Sequence, residues 1–183
     1  MKRGIDFLRV QDVPITLAQS TTVCNICDMS LISEYSSDVS FMNICGYSVK
    51  IGIIYLIQKR FALRISETLS ITYKNITSKG SVVVKGLKGS NDRLVYLPEL
   101  CNWFIECRVN KVDPFYGLSR FAVYRIYKKF NVNHEEYYGD KIAVTHGFRY
   151  AKVREVKEIE NDLQLSSIVL GHKNINSTKH YDK

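Results

Sequence analysis

At 183 residues the chain is long enough to bury a proper core, and one domain is the expectation. Its 45% hydrophobic and 24% charged residues are an ordinary globular balance, while 26 Lys and Arg against 18 Asp and Glu give a formal charge of +8 and a pI near 9.2, which suits a polyanionic partner. The longest apolar run, 51–57, contains Gly52 and is flanked by Lys50 and Lys59-Arg60; it is far short of the about twenty residues a membrane-spanning helix needs, so no membrane partner is expected.

Residues 1–46 carry the weakest pattern and are read as an N-terminal segment without assigned elements, either part of the domain that follows or separate from it. Val10-Gln11-Asp12-Val13-Pro14-Ile15-Thr16 reads as extended, and Ser20-Thr21-Thr22 as the cap of a short helix. Cys24 and Cys27 have C-x-x-C spacing, but a zinc site needs about four ligands. No second close pair follows and Cys45 stands alone, so unpaired thiols are expected rather than a metal or redox centre. Five cysteines are an odd number, and no signal peptide is read, which points to a reducing cytoplasm.

From Tyr47 the pattern turns helical. Ile53, Ile57 and Phe61 recur every four residues, widened by Ile54 and Leu56, and this core helix delivers Arg64 at its end. Segments 71–76 and 81–97 read as a small antiparallel three-stranded sheet, with β-branched Val82-Val83-Val84 and turn chemistry at Gly89-Ser90-Asn91-Asp92. Leu97-Pro98-Glu99-Leu100 opens a helix with core positions Cys101, Trp103, Phe104 and Cys107. Residues 119–130 form another, with Phe121, Val123, Tyr124 and Tyr127 set among Arg120, Arg125, Lys128 and Lys129. A polar loop with a surface histidine, His134, follows.

His146 and Arg149 stand at i and i+3, so one helical face presents both. Leu165, Ile168 and Val169 mark the next helix. Gly171 ends it, and His172 projects from the turn. Asn176 or Ser177 caps a last short helix carrying Tyr181, nine positions after His172. These residue types suit one task, attack on a phosphodiester. Arginine neutralises and orients phosphate oxygens, histidine moves protons near neutral pH, and tyrosine is a covalent nucleophile.

The set resembles the catalytic domain of the tyrosine recombinase (phage integrase) family. Ala62-Leu63-Arg64-Ile65-Ser66-Glu67 is similar to its G-L-R-x-S-E segment. Residues 84–97 are similar to its lysine-bearing β-hairpin, in a register that places the lysine at Lys88, with Lys85 as the alternative. His146-Gly147-Phe148-Arg149 matches H-x-x-R, and 162–172 is similar to D-L-x-x-V-x-x-L-L-G-H. The resemblance covers roughly 48–183. Leu87, Tyr96, Tyr150 and Glu160 depart from the pattern without removing a catalytic group.

The resemblance implies an α+β, mainly α-helical fold, with the catalytic domain at 47–183; the separate core-binding domain usual in the family is not expected in this chain. It implies a site-specific DNA recombinase with catalytic Arg64, Lys88, His146, Arg149, His172 and Tyr181, working without metal or other cofactor through a 3′-phosphotyrosyl intermediate. Arg64 and Arg149 would hold the phosphate oxygens, Lys88 would act as general acid, His146 would help deprotonate Tyr181, and His172 would donate to the phosphate. Double-stranded DNA is the implied partner, with self-association on it as dimer or tetramer. The alternatives are a truncated, non-catalytic DNA-binding or regulatory remnant, and a relaxing enzyme of the type IB topoisomerase kind. A metal-dependent nuclease built on the histidines would want acidic ligands that the pattern does not offer.

Overall fold

The computed structural model describes residues 35–132, 144–160, 162–179 and 181. Cys24, Cys27, the segments expected before them and His134 lie outside the described residues.

Two helices open this region. α1 (Val39–Tyr47) begins where the Asp38 carboxylate accepts from the Phe41 N–H at 3.0 Å, and it buries Phe41 and Ile44. Asp38 also accepts from the Tyr55 hydroxyl and from Lys59 Nζ at 2.7 Å, tying the helix start to its neighbour. That neighbour, α2 (Val49–Phe61), is buried around its whole circumference from Ile51 to Gln58. A helix that is apolar all round belongs inside a core, and α1 and the helices at Arg120–Lys129 and Val144–Glu160 surround it.

The expected strand at 71–76 is corrected. Residues Tyr73–Asn75 form a single 3₁₀ turn, and only Ile76 makes a bridge to Val82. The Asn75 side chain accepts from both the Thr72 N–H and its hydroxyl at 2.8 Å, and Asp113 takes the Tyr73 N–H at 3.0 Å. Side chains thus consume donors that a third ladder would need. The sheet has two strands, β1 (Val82–Val84) and antiparallel β2 (Arg93–Val95), with Val83 opposite Leu94. The turn between them is also shifted. Lys88 and Gly89 take the left-handed conformation at φ 53° and 77°, while Ser90 leaves the turn and is buried.

A proline-led 3₁₀ turn, Pro98–Leu100, feeds α4 (Cys101–Val109), which buries Trp103, Phe104 and Cys107. Ser119 caps α5 (Arg120–Lys129) by accepting from the Ala122 N–H. α5 turns Val123, Ile126 and Tyr127 inward and leaves Phe121 and Tyr124 outside with its basic residues. α6 (Val144–Glu160) contributes Phe148, whose ring meets Tyr55 at 5.5 Å and Tyr127 at 5.9 Å. These edge-on aromatic contacts join α2, α5 and α6 into one core.

α7 (Leu163–Val169) is capped by Asp162, which accepts from the Gln164 and Leu165 N–H groups. It closes on Gly171 at φ 68°, with the His172 N–H donating to the Ser167 carbonyl and the Gly171 N–H to the Ile168 carbonyl. This is the Schellman pattern, and it fixes where His172 leaves the helix. The last element, α8 (Asn176–Lys179), takes its cap from Asn174 rather than from Asn176 or Ser177. A second, smaller apolar cluster of Ala62, Tyr150, Val153, Leu170 and Tyr181 seats the chain's end. No helix of the described residues is long and apolar enough to cross a membrane.

Candidate active site

α2 ends on Ala62 in the left-handed conformation, φ 49°, a position usually given to glycine. The methyl group has a use here, because Ala62 is fully buried in the cluster that holds Tyr181. The bend turns the chain so that Arg64 becomes the N-cap of α3 (Ile65–Leu69). Glu67, on the first turn of α3, reaches back. Its carboxylate accepts from the Arg64 N–H and from Arg64 Nη1, both at 2.9 Å, and from Arg93 Nη2 at 2.5 Å. Glu67 is fully buried. Burial pushes its pKa up, but the Arg64 N–H and the charges of Arg93 and Arg64 win and hold it below the usual carboxylate value.

The hairpin is pinned to this corner. Arg64 Nη1 also donates to the Ser90 hydroxyl, Ser90 bridges His172 across the backbone, and the Asn91 N–H donates to the Gly171 carbonyl at 2.7 Å. A Cβ at Gly171 would come within 2.8 Å of Arg93, so this glycine serves close approach as well as its left-handed turn. A Cβ at Gly86 would meet the Ser90 carbonyl at 2.1 Å, so the hairpin loop closes only over a hydrogen. Lys85 is paired with Asp92 at 2.6 Å, and Asp92 also takes the Gly86 N–H. Lys88 stands exposed on the turn, two residues before Ser90, with no side-chain partner among the described residues.

Arg149 comes from one face of α6 and is completely buried. Nη1 donates to the Ala62 carbonyl at 2.7 Å and Nη2 to the Leu170 carbonyl at 3.2 Å. Nη2 also lies 2.6 Å from His172 Nε2. Its Nε is buried with no partner among the described residues. A buried donor left unpaired is costly, and it marks a place where an acceptor would be welcome. Burial lowers the Arg149 pKa to about 10, helped by Arg64 and opposed by Tyr181, so it stays charged at neutral pH.

The His172 pKa is depressed to about 4, first by burial and then by the charges of Arg149, Arg64 and Arg93, against the pull of Glu67. The folded state therefore prefers neutral His172, whereas an unfolded histidine titrates near 6.5. Stability from this group is present above pH about 6.5 and is lost as pH falls toward 4. A loss on the order of 2 kcal/mol is expected across that window. Urea unfolding at pH 7 and at pH 4.5 checks it. A slope that persists unchanged in His172→Gln would reject the assignment to this residue.

Tyr181 lies almost buried in the second cluster. Its ring meets Tyr150 edge-on at 4.8 Å, the Arg149 guanidinium sits over it at 5.4 Å, and the His172 ring is 5.8 Å away. Its hydroxyl lies 3.3 Å from His146 Nδ1. Burial and Tyr181 together raise the Tyr150 pKa.

Five of the six residues expected from sequence thus surround one point: Arg64, His146, Arg149, His172 and Tyr181. Lys88 is not brought into contact with them and stands on the exposed turn two residues before Ser90. Sequence reasoning gave no role to Arg93, Ser90 or Thr178. Arg93 stood only within the hairpin segment 84–97, Ser90 as a turn residue, and Thr178 as part of a short helix. No family model matches the sequence, and no curated protein matches it. The fold is similar to that in the crystal structure of XerA recombinase, with a TM-score of 0.54 and 14% sequence identity over 79% of this chain. The match covers 55% of that protein. At that identity the likeness speaks for architecture alone: this is a mostly helical chain with a small antiparallel sheet, folded like XerA recombinase over the matched part.

Proposed function

We propose that the chain cleaves and rejoins DNA as a site-specific recombinase, through a tyrosine–phosphate intermediate. The observation that carries this reading is the Tyr181 hydroxyl, 3.3 Å from His146 Nδ1 beneath the buried Arg149 guanidinium. A phenol with a base at its oxygen and a fixed cation over its ring is prepared to attack an anionic centre.

In the step proposed, Tyr181 Oη bonds to a backbone phosphorus and its proton passes to His146 Nδ1. The P–O5′ bond breaks in line, and the leaving 5′ oxygen takes a proton from Lys88. The product is a 3′-phosphotyrosyl link and a free 5′-hydroxyl. Arg64 and Arg149 hold the non-bridging oxygens, the buried Arg149 Nε being one donor ready for them. Attack by a 5′-hydroxyl of another strand reverses the step, so no outside energy source is needed. The excess of basic residues and the exposed Phe121, Tyr124, Arg120 and Arg125 of α5 suit a duplex partner. Among the described residues no group of three His, Cys, Asp or Glu gathers as a metal site would require.

A duplex nicked close to the cleavage position tests this, because loss of the short fragment traps the adduct. The chain is expected to migrate with the labelled strand on a denaturing gel, with EDTA present. No adduct on any nicked duplex drawn from the flanks of its own gene would sink the proposal. The two lysines separate in the same assay. Lys88→Ala should slow adduct formation by about 10²–10³-fold, and a 5′-bridging phosphorothioate, whose leaving group needs no proton, should restore it. Lys85→Ala should behave like the unaltered chain. The reverse pattern would move the general acid to Lys85.

A further inference from the structure

We propose that Thr178 is a positioning residue of this site: its hydroxyl holds His172 in the Nδ1–H tautomer, making Nε2 an acceptor that aims Arg149, while its main chain seats Tyr181. The proposal rests on the cleavage reading above for its consequence, though not for its geometry.

Three contacts converge. Arg149 Nη2 lies 2.6 Å from His172 Nε2. A guanidinium only donates, so Nε2 must present a lone pair. The single proton of the neutral ring is then on Nδ1. Thr178 Oγ1 lies 2.7 Å from Nδ1 and is the acceptor for it. The third contact is through the backbone, where the Tyr181 N–H donates to the Thr178 carbonyl at 2.8 Å. One buried residue therefore grips the histidine by its side chain and the nucleophile by its main chain.

The other tautomer would point an N–H at an N–H across 2.6 Å, and a protonated ring would do the same with a full charge added. The groups facing His172 are Arg149 from α6, Arg64 from the α2–α3 corner, Arg93 from β2, Glu67 from α3 and Tyr181. Three cations against one carboxylate agree with a neutral ring. His172 then acts on the phosphate through Arg149, by orienting the guanidinium, in place of the direct donation that the family resemblance implies. A hydrogen-bond partner behind a working histidine is how such rings are commonly held in one tautomer.

The test uses the whole chain labelled with ¹⁵N-histidine and long-range proton–nitrogen NMR, without DNA. In the unaltered protein at pH 7, His172 is expected to show a protonated Nδ1 and a bare Nε2. Thr178→Val keeps the shape and removes the acceptor. It is expected to shift both nitrogens toward averaged tautomer values and to slow adduct formation on the nicked duplex by about 10–100-fold. Thr178→Ser should rescue both readouts. A ring in the unaltered chain that carries its proton on Nε2, or carries two, overturns the assignment even if the valine variant fails to fold. A valine variant with unchanged nitrogen shifts and unchanged rate overturns it as well. If the unaltered chain forms no adduct but shows the stated tautomer, the cleavage reading falls and the pairing of Thr178 with His172 stands.

Discussion

Tyr181→Phe is expected to reduce the covalent DNA adduct by more than about 10⁴-fold, to the background of the gel, while leaving the protein folded and able to bind DNA. Removing a nucleophile leaves only the catalysis that its surroundings supply. The structure makes this substitution unusually clean. The ring is held by Tyr150, by the Arg149 guanidinium and by Ala62, Val153 and Leu170, all of which phenylalanine keeps. What it loses is the hydroxyl, with its contact to His146 at 3.3 Å, at an exposed histidine, and its hydrogen bond with the Arg149 side chain. A stability change of about 1–3 kcal/mol is expected from losing these hydrogen bonds, one of them to a charged group. Urea unfolding of the two proteins, run beside the nicked-duplex assay and a filter-binding assay, separates the outcomes. Adduct that persists in the phenylalanine variant would place the nucleophile elsewhere. Loss of binding along with loss of adduct would mean that the hydroxyl organises the site rather than attacks.

Glu67→Ala should be the most destabilising single change in the candidate site, at about 3–5 kcal/mol. The carboxylate is fully buried and takes hydrogen bonds from the Arg64 N–H, Arg64 Nη1 and Arg93 Nη2. Truncation strips two partly buried guanidinium groups of their counter-charge and orphans the Arg64 N–H just ahead of α3. Arg93 suffers most, since its Nε is already buried without a partner among the described residues. The urea midpoint should fall with an unchanged m value. Pairing Glu67→Ala with Arg93→Met should cost less than the two changes added together, because the second removes a charge that the first left stranded. Strict additivity would show that the two groups do not interact. The Glu67 pKa is held below the ordinary carboxylate value, so its contribution is present above pH about 4.5 and fades as pH falls below that. The His172 loss starts higher, near pH 6.5, and the two fall in separable windows.

Much of the local structure could be read from the residues because short-range chemistry decides it. The Gly171 ending of α7 follows from its lack of a side chain. The Val82-Val83-Val84 strand follows from β-branching, and the proline-led entry to α4 from a fixed φ. Helix α1 was not among the expected elements: Asp38 caps it, but Phe41, Ile44 and Cys45 make too short an apolar stripe to read as a helix face. The strand expected at 71–76 failed for the opposite reason. Ile71 and Ile76 are buried as a strand would have them, but the Asn75 side chain claimed the Thr72 donors and curled the backbone between.

By itself the sequence determined the inventory: two arginines, two histidines, a lysine and a tyrosine, each placed on a helix, a turn or a hairpin that its neighbours dictate. Only the tertiary structure decided which of these groups touch. Arg149 reaches the Ala62 carbonyl across 87 residues, Arg93 reaches Glu67 across 26, and the His172 ring lies between Arg149 and Thr178. Such contacts depend on how α2, α6 and the hairpin pack against one another, and packing is set by the shapes of all the buried side chains together. No local pattern of residue types encodes them.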